Sequence, residues 1–297
     1  MHEKMEKTVK HLYRWIWIVL LFFIAAGICY EFWISKYGLE VTSYTMTSEK
    51  IDENIRIVQL TDLHNSVFGE NNDKLVQKVR DQLPDLILIT GDLLDSSKES
   101  TDIAVNLIQA LKNIAPVYIS YGNHEVEYAQ TYGTDIKVLY EAAGAVVMDK
   151  TYEDIQIKGQ QIRLGGIYGY CLPAKYLASN EANEEECAFL SDFQNTESYT
   201  VLMCHMPACW IVNDGINEWS VDCVFAGHAH GGQIRLPLLG GLWAPDQGWF
   251  PGKESGLYYS DDLGRVMVLS RGLGSTEKIP RFNNVPEIVV ADIVSAD

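Results

Sequence analysis

The 297 residues carry 23 basic and 40 acidic side chains, for a net charge of −17, and 47% of them are hydrophobic. That hydrophobic share supports a sizeable folded core, and the acidic balance excludes nucleic-acid binding through a broad basic face. Once an apolar N-terminal segment is set aside, about 255 residues remain, enough for one large domain or two small ones.

Residues 12–34 read as a transmembrane signal anchor. Trp15 to Tyr30 holds no charge, and Phe32, Trp33 and Ile34 extend the stretch past Glu31; a spanning helix needs about 20 apolar residues. Tyr13, Trp15 and Trp17 at one end and Tyr30, Trp33 and Tyr37 at the other form interfacial belts. A cleaved signal peptide would have an apolar region of about 7–15 residues ending in a small-x-small site. Ala25-Ala26-Gly27, followed by more apolar residues, fits that poorly. Lys4, Lys7, Lys10 and Arg14 precede the span, and only Lys36 and Lys50 follow closely. The positive-inside rule therefore puts residues 1–11 in the cytoplasm and the remainder outside. Beyond position 36 the chain keeps 18 basic and 37 acidic residues, a net −19. Anionic headgroups repel such a body, which leaves anchoring to the helix. Residues 35–54 read as a polar, β-prone linker.

From residue 55 onward, buried-strand runs alternate with helical patterns. Apolar runs at 55–60, 86–90, 117–121, 199–204 and 223–226 each end in a short loop with a metal-ligand residue. The loops are Asp62-Leu63-His64, Gly91-Asp92, Gly122-Asn123-His124-Glu125, His205 and Gly227-His228-Ala229-His230. Residues 73–82, 101–114 and 134–143 have helical apolar spacing. Residues 145–148, 155–157 and 161–167 read as strands, the last two joined by a turn at Lys158-Gly159-Gln160. An acidic helix over 181–191 carries Glu184 to Glu186 on a solvated face. Residues 265–270 and 287–293 close the chain as strands. The Leu-, Gly- and Trp-rich stretch 236–259 reads either as a hairpin packing its own side chains or as an apolar lip beside the His228-x-His230 loop. Five cysteines lie outside the span, an odd number with no C-x-x-C; they read as free thiols, with Cys204 and Cys223 as small buried hydrophobes.

Taken singly, Asp62-x-His64 is an ordinary strand-exit turn, His228-x-His230 a surface pair and His205 a core histidine. Together they are more than that, because ligands in open α/β sheets gather outside the carboxyl ends of the strands. Two carboxylates, four imidazoles and one amide suit two divalent ions.

In their order, Asp-x-His, Gly-Asp, Gly-Asn-His-Glu, His and Gly-His-x-His, these loops resemble the calcineurin-like metallophosphoesterase family. Pro84-Asp85-Leu86, Gly231-Gly232-Gln233, Arg271-Gly272-Leu273-Gly274 and Pro286-Glu287-Ile288 are similar to that family's membrane-anchored bacterial branch. Thr61, Met206 and Ala229 depart from the family's usual neighbours without removing a ligand. The resemblance implies an α/β fold with two packed β-sheets flanked by helices, the αββα metallophosphoesterase sandwich, preceded by one transmembrane helix. Residues 55–297 would be the catalytic domain.

The resemblance also implies roles. Asp62, His64 and His230 would hold one ion, Asn123, His205 and His228 the other, and Asp92 would bridge both. His124 would be the general acid, and Glu125 would orient an imidazole from behind. Arg271 and Arg281 are candidates for phosphate contact or for structural ion pairs. The expected activity is hydrolysis of a phosphate monoester or diester by a hydroxide bridging two Mn, Fe or Zn ions. A lipid-linked substrate would lie against Trp243, Trp249 and Phe250. One alternative is a lipid or nucleotide-sugar pyrophosphatase with the same site. Another is a non-catalytic metal-binding scaffold, against which the intact ligand set counts.

Overall fold

The computed structural model describes residues 2–169, 171–275 and 279–296. It begins with a 36-residue helix, α1 (His2–Tyr37). Lys10–Tyr37 is the one stretch among the described residues that is long and apolar enough to cross a membrane, and almost none of it is buried against the protein. The side chains of Lys4 and Lys7 lie outside the described residues.

Strands β1 (Glu40–Ser48), β2 (Ile55–Leu60), β3 (Leu86–Thr90), β4 (Val117–Ser120) and β5 (Val146–Val147) belong to a first sheet. A second sheet takes β6 (Thr151–Ile157), β7 (Gln160–Ile167), β8 (Tyr199–Cys204) and β9 (Cys223–Ala226). Two short hairpins follow, β10–β11 (Arg235–Leu236, Gly240–Gly241) and β12–β13 (Trp243–Ala244, Gly248–Trp249). Strands β14 (Gly256–Tyr259) and β15 (Val266–Leu269) complete the second sheet, and β16 (Glu287–Ser295) returns to the first. The orders are β1-β16-β2-β3-β4-β5 and β14-β15-β9-β8-β7-β6. Strands β2 to β5 run parallel in one sheet, and β7, β8, β9 and β15 run parallel in the other. Helices α2 (Asp73–Asp81), α3 (Asp102–Leu111), α4 (Asn123–Tyr132) and α5 (Ile136–Ala143) accompany the first sheet. Helices α6 (Glu184–Phe193), α7 (Ala208–Ile211) and α8 (Gly215–Glu218) accompany the second.

Side-chain alternation along the strands builds the layers. Val58, Leu60, Ile87 and Ile89 face Leu75, Leu107 and Tyr140 of the helices. Their neighbours Ile57 and Leu88 face inward and meet Leu164, Val201, Phe225 and Val268 of the second sheet. Leu202, Val224 and Met267 pack outward on Leu190, Phe193 and Trp210. Every central strand is therefore covered on both faces, which is why these segments read as unbroken apolar runs. The architecture is helix, sheet, sheet, helix, as expected.

Three local features add to the reading, and the cysteines are free thiols as expected. The stretch 35–54 is not a loose linker. Helix α1 continues through Tyr37, and β1 lies parallel along the whole of β16, from Glu40 opposite Glu287 to Ser48 opposite Ser295. Its β-branched residues were visible as propensity, but its partner is about as far away as the chain allows. Helix α4 was not anticipated, because Asn123-His124-Glu125 breaks the apolar period. It starts there because Glu125, three residues past Gly122, turns back to accept the Gly122 N–H at 2.9 Å. The thiol pattern is partly clustered: Cys171 and Cys204 sulfurs lie 3.4 Å apart in the core, close to Cys209, and all are free thiols.

The anchor helix is also seated on the domain. Ser35 is fully buried, and its Oγ accepts the Asn284 N–H at 3.1 Å. The Phe32 and Phe282 rings are 4.9 Å apart.

Candidate metal centre

The carboxyl ends of β2, β3 and β4 meet those of β8 and β9, and their loops are tied to one another by backbone. Gln59 Nε2 donates to the Ala226 carbonyl at 2.9 Å, joining the two sheets just below the loops. Asp62 N donates to the Gly91 carbonyl at 3.1 Å and His64 N to the Asp92 carbonyl at 3.0 Å. His228 N donates to Asp62 Oδ1 at 3.0 Å. Gly91 adopts φ +89°, and a Cβ there would stand 2.5 Å from Gly122 N and 2.8 Å from His205 Nδ1. Only glycine lets these loops close to that distance.

The titratable residues singled out from the sequence fall into three overlapping groups: Asp62, His64 and His230; Asp92, His205 and His228; and His64, Asp92 and His124. Within each group one ligand atom per residue lies within 4.8 Å of the others. His205 Nε2 is 3.2 Å and His64 Nε2 is 3.6 Å from Asp92 Oδ2, and His230 Nε2 is 3.6 Å from Asp62 Oδ1. Asn123 opens α4 immediately before His124.

Five of these residues hold left-handed backbone: Asp62 (φ 53°), His64 (46°), Asp92 (55°), His228 (67°) and His230 (48°). Such conformations cost about 1–3 kcal/mol each and cluster at functional sites. Nothing in the packing of a plain core would need them at five polar positions.

Burial decides the charges. It presses His64 and His230 down to a pKa of about 3, so both are neutral imidazoles. Burial also opposes charge on His205, but Asp92, Asp62 and the Thr90 carbonyl outweigh it and lift that pKa to about 10. Asp92 is likewise penalised by burial, yet His205 and His64 hold it well below the ordinary carboxylate range.

The donor set fits divalent ions on an observation of its own. Both ring nitrogens of His64, His205 Nε2, His230 Nδ1 and Asn123 Oδ1 are buried without a hydrogen-bond partner among the described residues. Buried polar atoms are rarely left so; an ion taking one ring nitrogen of each imidazole, with His205 giving up its proton on binding, would satisfy those that face the centre. His205 is oriented for this, since its Nδ1 meets the Thr90 carbonyl at 2.7 Å and Nε2 faces the carboxylates.

Glu125 plays a different part from the one expected, while the two arginines take the structural of their two readings. Glu125 touches no imidazole. Its buried carboxylate accepts from Asp92 N at 2.7 Å, Leu93 N at 2.8 Å and Leu94 N at 3.2 Å, besides Gly122 N and the Tyr140 hydroxyl. It therefore fixes the loop that aims Asp92. Arg271 pairs with Glu287 at 3.0 Å and Glu40 at 2.8 Å, tying β1 to β16. Arg281 donates to the carbonyls of Asn284, Arg271 and Gly274. Both arginines are structural here.

His124 Nδ1 accepts from Ser96 N at 3.1 Å, so in the neutral ring the proton sits on Nε2. Ser96 Oγ, 2.9 Å from Nδ1, donates onward to Glu127 at 2.8 Å. Sequence reasoning missed Ser96 and Glu127. It also missed Asp246, whose carboxylate lies 3.1 Å from His228 Nε2. Asp246 sits at the tip of the β12–β13 hairpin, and no spacing ties that tip to the centre. On that hairpin Trp243 is half-buried and Trp249 is exposed, and neither lines the cavity that reaches His64.

Residues 55–232 match the calcineurin-like phosphoesterase family. An uncharacterized metallophosphoesterase of Bacillus subtilis, YkuE, is 27% identical over 280 residues, covering 91% of each chain. The phosphodiesterase YaeI of Escherichia coli is 26% identical over 250 residues, covering 80% of this chain and 82% of its own. Among solved structures, a dimetal phosphatase from Danio rerio overlaps 73% of this chain and 87% of its own, at 13% identity and a TM-score of 0.43. With the family match running from the first strand of the Asp-x-His loop through the Gly-His-x-His loop, the chain belongs to the calcineurin-like phosphoesterases and is a hydrolase of phosphoric esters.

Proposed function

We propose that the protein is a membrane-anchored, two-metal phosphoesterase that hydrolyses a phosphate monoester or diester. The observation that carries this reading is the meeting of five strand-end loops around buried, unpartnered nitrogens. Asp62, His64 and His230 would hold one ion, Asn123, His205 and His228 the other, and Asp92 both, with Mn, Fe or Zn each suited to this mixed set. Bound there, two such ions would supply Lewis acidity toward phosphoryl oxygens and toward a water.

The chain's own residues do the rest. His124 serves the leaving-group oxygen through Nε2–H. Ser96 Oγ, backed by Glu127, offers an acceptor for Nδ1–H whenever the ring is protonated. Glu125 keeps the Asp92 loop in place, and burial keeps His64 and His230 neutral and ready to ligate.

The test is direct. Full-length protein in detergent, loaded separately with Mn, Fe or Zn, should hydrolyse bis(4-nitrophenyl) phosphate or 4-nitrophenyl phosphate. A chelator should stop turnover and re-addition should restore it. Stoichiometric metal with no hydrolysis of monoester, diester or pyrophosphate would instead make this a binding scaffold.

The uncharged span of α1, with its basic residues before it, supports a cytoplasmic N-terminus and an extracytoplasmic domain. Protease added to intact cells should then digest the domain, and the anchor should resist a high-salt wash. A domain protected from external protease would reverse the orientation, and a mature chain starting near Gly27 would show cleavage.

A further inference from the structure

The cavity that reaches the centre is about 540 Å³, and it is walled on one side by the anchor helix. Phe32, Ser35 and Lys36 of α1 line it together with His64, Leu273 and Arg281. The helix and the centre are thus two sides of one space.

That wall is held in place. Asn284 receives α1 through its N–H to Ser35 Oγ, and its Nδ2 donates at 2.8 Å to the carbonyl of His230. One asparagine joins the helix end to a residue of the metal centre. Phe32 is further fixed against Phe282, whose carbonyl accepts from Arg235 N.

The position along α1 sets the depth. The uncharged stretch ends at Tyr30, so Phe32 to Lys36 lie within about 9 Å of the hydrocarbon edge at 1.5 Å rise per residue. That is headgroup level. A phosphate ester with a long apolar chain could put its phosphorus in this cavity while its chain stays in the bilayer. A soluble ester gains nothing from such a placement. Moving a chain out of the bilayer costs about 0.8 kcal/mol per CH₂, so an entrance at the membrane surface avoids the largest barrier that a lipid substrate faces.

Building on the phosphoesterase reading above, we propose that the last turns of the anchor helix form the substrate entrance, and that the substrate is a bilayer-resident phosphate ester with a long apolar chain. The chain lies along Phe32, and Lys36 stands at the rim for the anionic headgroup. This relocates the apolar contact from the Trp243–Trp249 hairpin to α1.

The test compares ethyl and hexadecyl 4-nitrophenyl phosphate with the metal-loaded, full-length protein in phosphatidylcholine vesicles. In both, the water oxygen bonds to phosphorus, the P–O(aryl) bond breaks, and 4-nitrophenolate leaves with release of a proton from water. The two substrates therefore share their chemistry and differ only in the chain. The wild type should favour the hexadecyl ester through KM. Phe32→Ala, at an exposed position, should raise KM for that ester by about 5–20-fold, as expected for losing an apolar wall, and affect the ethyl ester far less, so that the chain preference shrinks. Lys36→Ala should act in the same direction. Leu21→Ala, in the middle of the span, should alter neither. Turnover of the ethyl ester with no chain preference, or a preference that both α1 variants retain, overturns the entrance and leaves the phosphoesterase reading intact. No turnover of either ester while 4-nitrophenyl phosphate is hydrolysed overturns the entrance alone, and no turnover of all three overturns both.

Discussion

Replacing Asp92 with Asn should weaken both metal positions and abolish turnover. Asp92 Oδ2 lies 3.2 Å from His205 Nε2 and 3.6 Å from His64 Nε2, while Oδ1 accepts the His124 N–H at 2.9 Å. Its Oδ2 thus lies closest to His205, of one proposed ion position, and next to His64, of the other. An amide of the same shape keeps the fold but removes the charge, and it turns one acceptor into a donor facing imidazoles. Losing even an outer-shell partner typically lowers metal affinity 10–100-fold, so loss of a shared ligand should cost at least about 100-fold. Elemental analysis should find clearly fewer than two ions per chain. A second signature is available without metal. Asp92 is the main charge lifting His205 to a pKa of about 10, so in the variant the proton on His205 should be lost at lower pH. Full occupancy with normal turnover in Asp92→Asn would end the bridging assignment.

The substitution His124→Gln should separate catalysis from metal binding. His124 stands edge-on to His64 at 4.5 Å between ring centroids, and Ser96 already occupies its Nδ1. Glutamine can still donate a hydrogen bond but cannot transfer a proton. Both ions should remain, and turnover should fall by about 10²–10⁴-fold, the usual worth of a positioned general acid. The loss should be greatest for alkyl leaving groups and smallest for 4-nitrophenolate, which leaves without protonation. An equal loss for every leaving group, or loss of metal, would assign His124 to binding instead.

The two proposed roles differ in what they ask of the backbone. Asp92 needs its unusual φ because a loop between two sheets must aim a carboxylate back toward them. His124 needs none, since it rides on the first turn of α4. Glu125 supports both, because the carboxylate that begins α4 also collects the N–H groups of residues 92 to 94. A buried carboxylate in that position trades its desolvation cost for several charge-assisted bonds.

Much of this protein was legible in its sequence. Parallel strands covered on both faces must be continuously apolar, so the runs before Asp62, Asp92, Asn123, His205 and His228 marked themselves. Ligand-type residues directly after such runs could only lie at one edge of the sheets, and that is where the structure brings them. The uncharged stretch of α1 was equally plain, because its signal is local composition.

What the sequence could not carry was pairing at long range. The β-branched residues of 40–48 announced a strand, but only the folded chain decides that it runs along β16 and so ends any slack between anchor and domain. Arg271 and Arg281 had the right chemistry for phosphate. Arg271 instead meets Glu287 and Glu40, the latter from the far end of the chain, while Arg281 turns its donors onto carbonyls only three to ten residues away. The wall of the cavity was likewise decided by tertiary structure. Trp243 and Trp249 follow the Gly-His-x-His loop in sequence, yet Phe32, nearly 200 positions earlier than the loop, reaches the cavity first. Periodicity and composition report the environment of a residue along its own strand or helix. Which distant surface completes that environment is settled only when the sheets pack and the helix end finds Asn284.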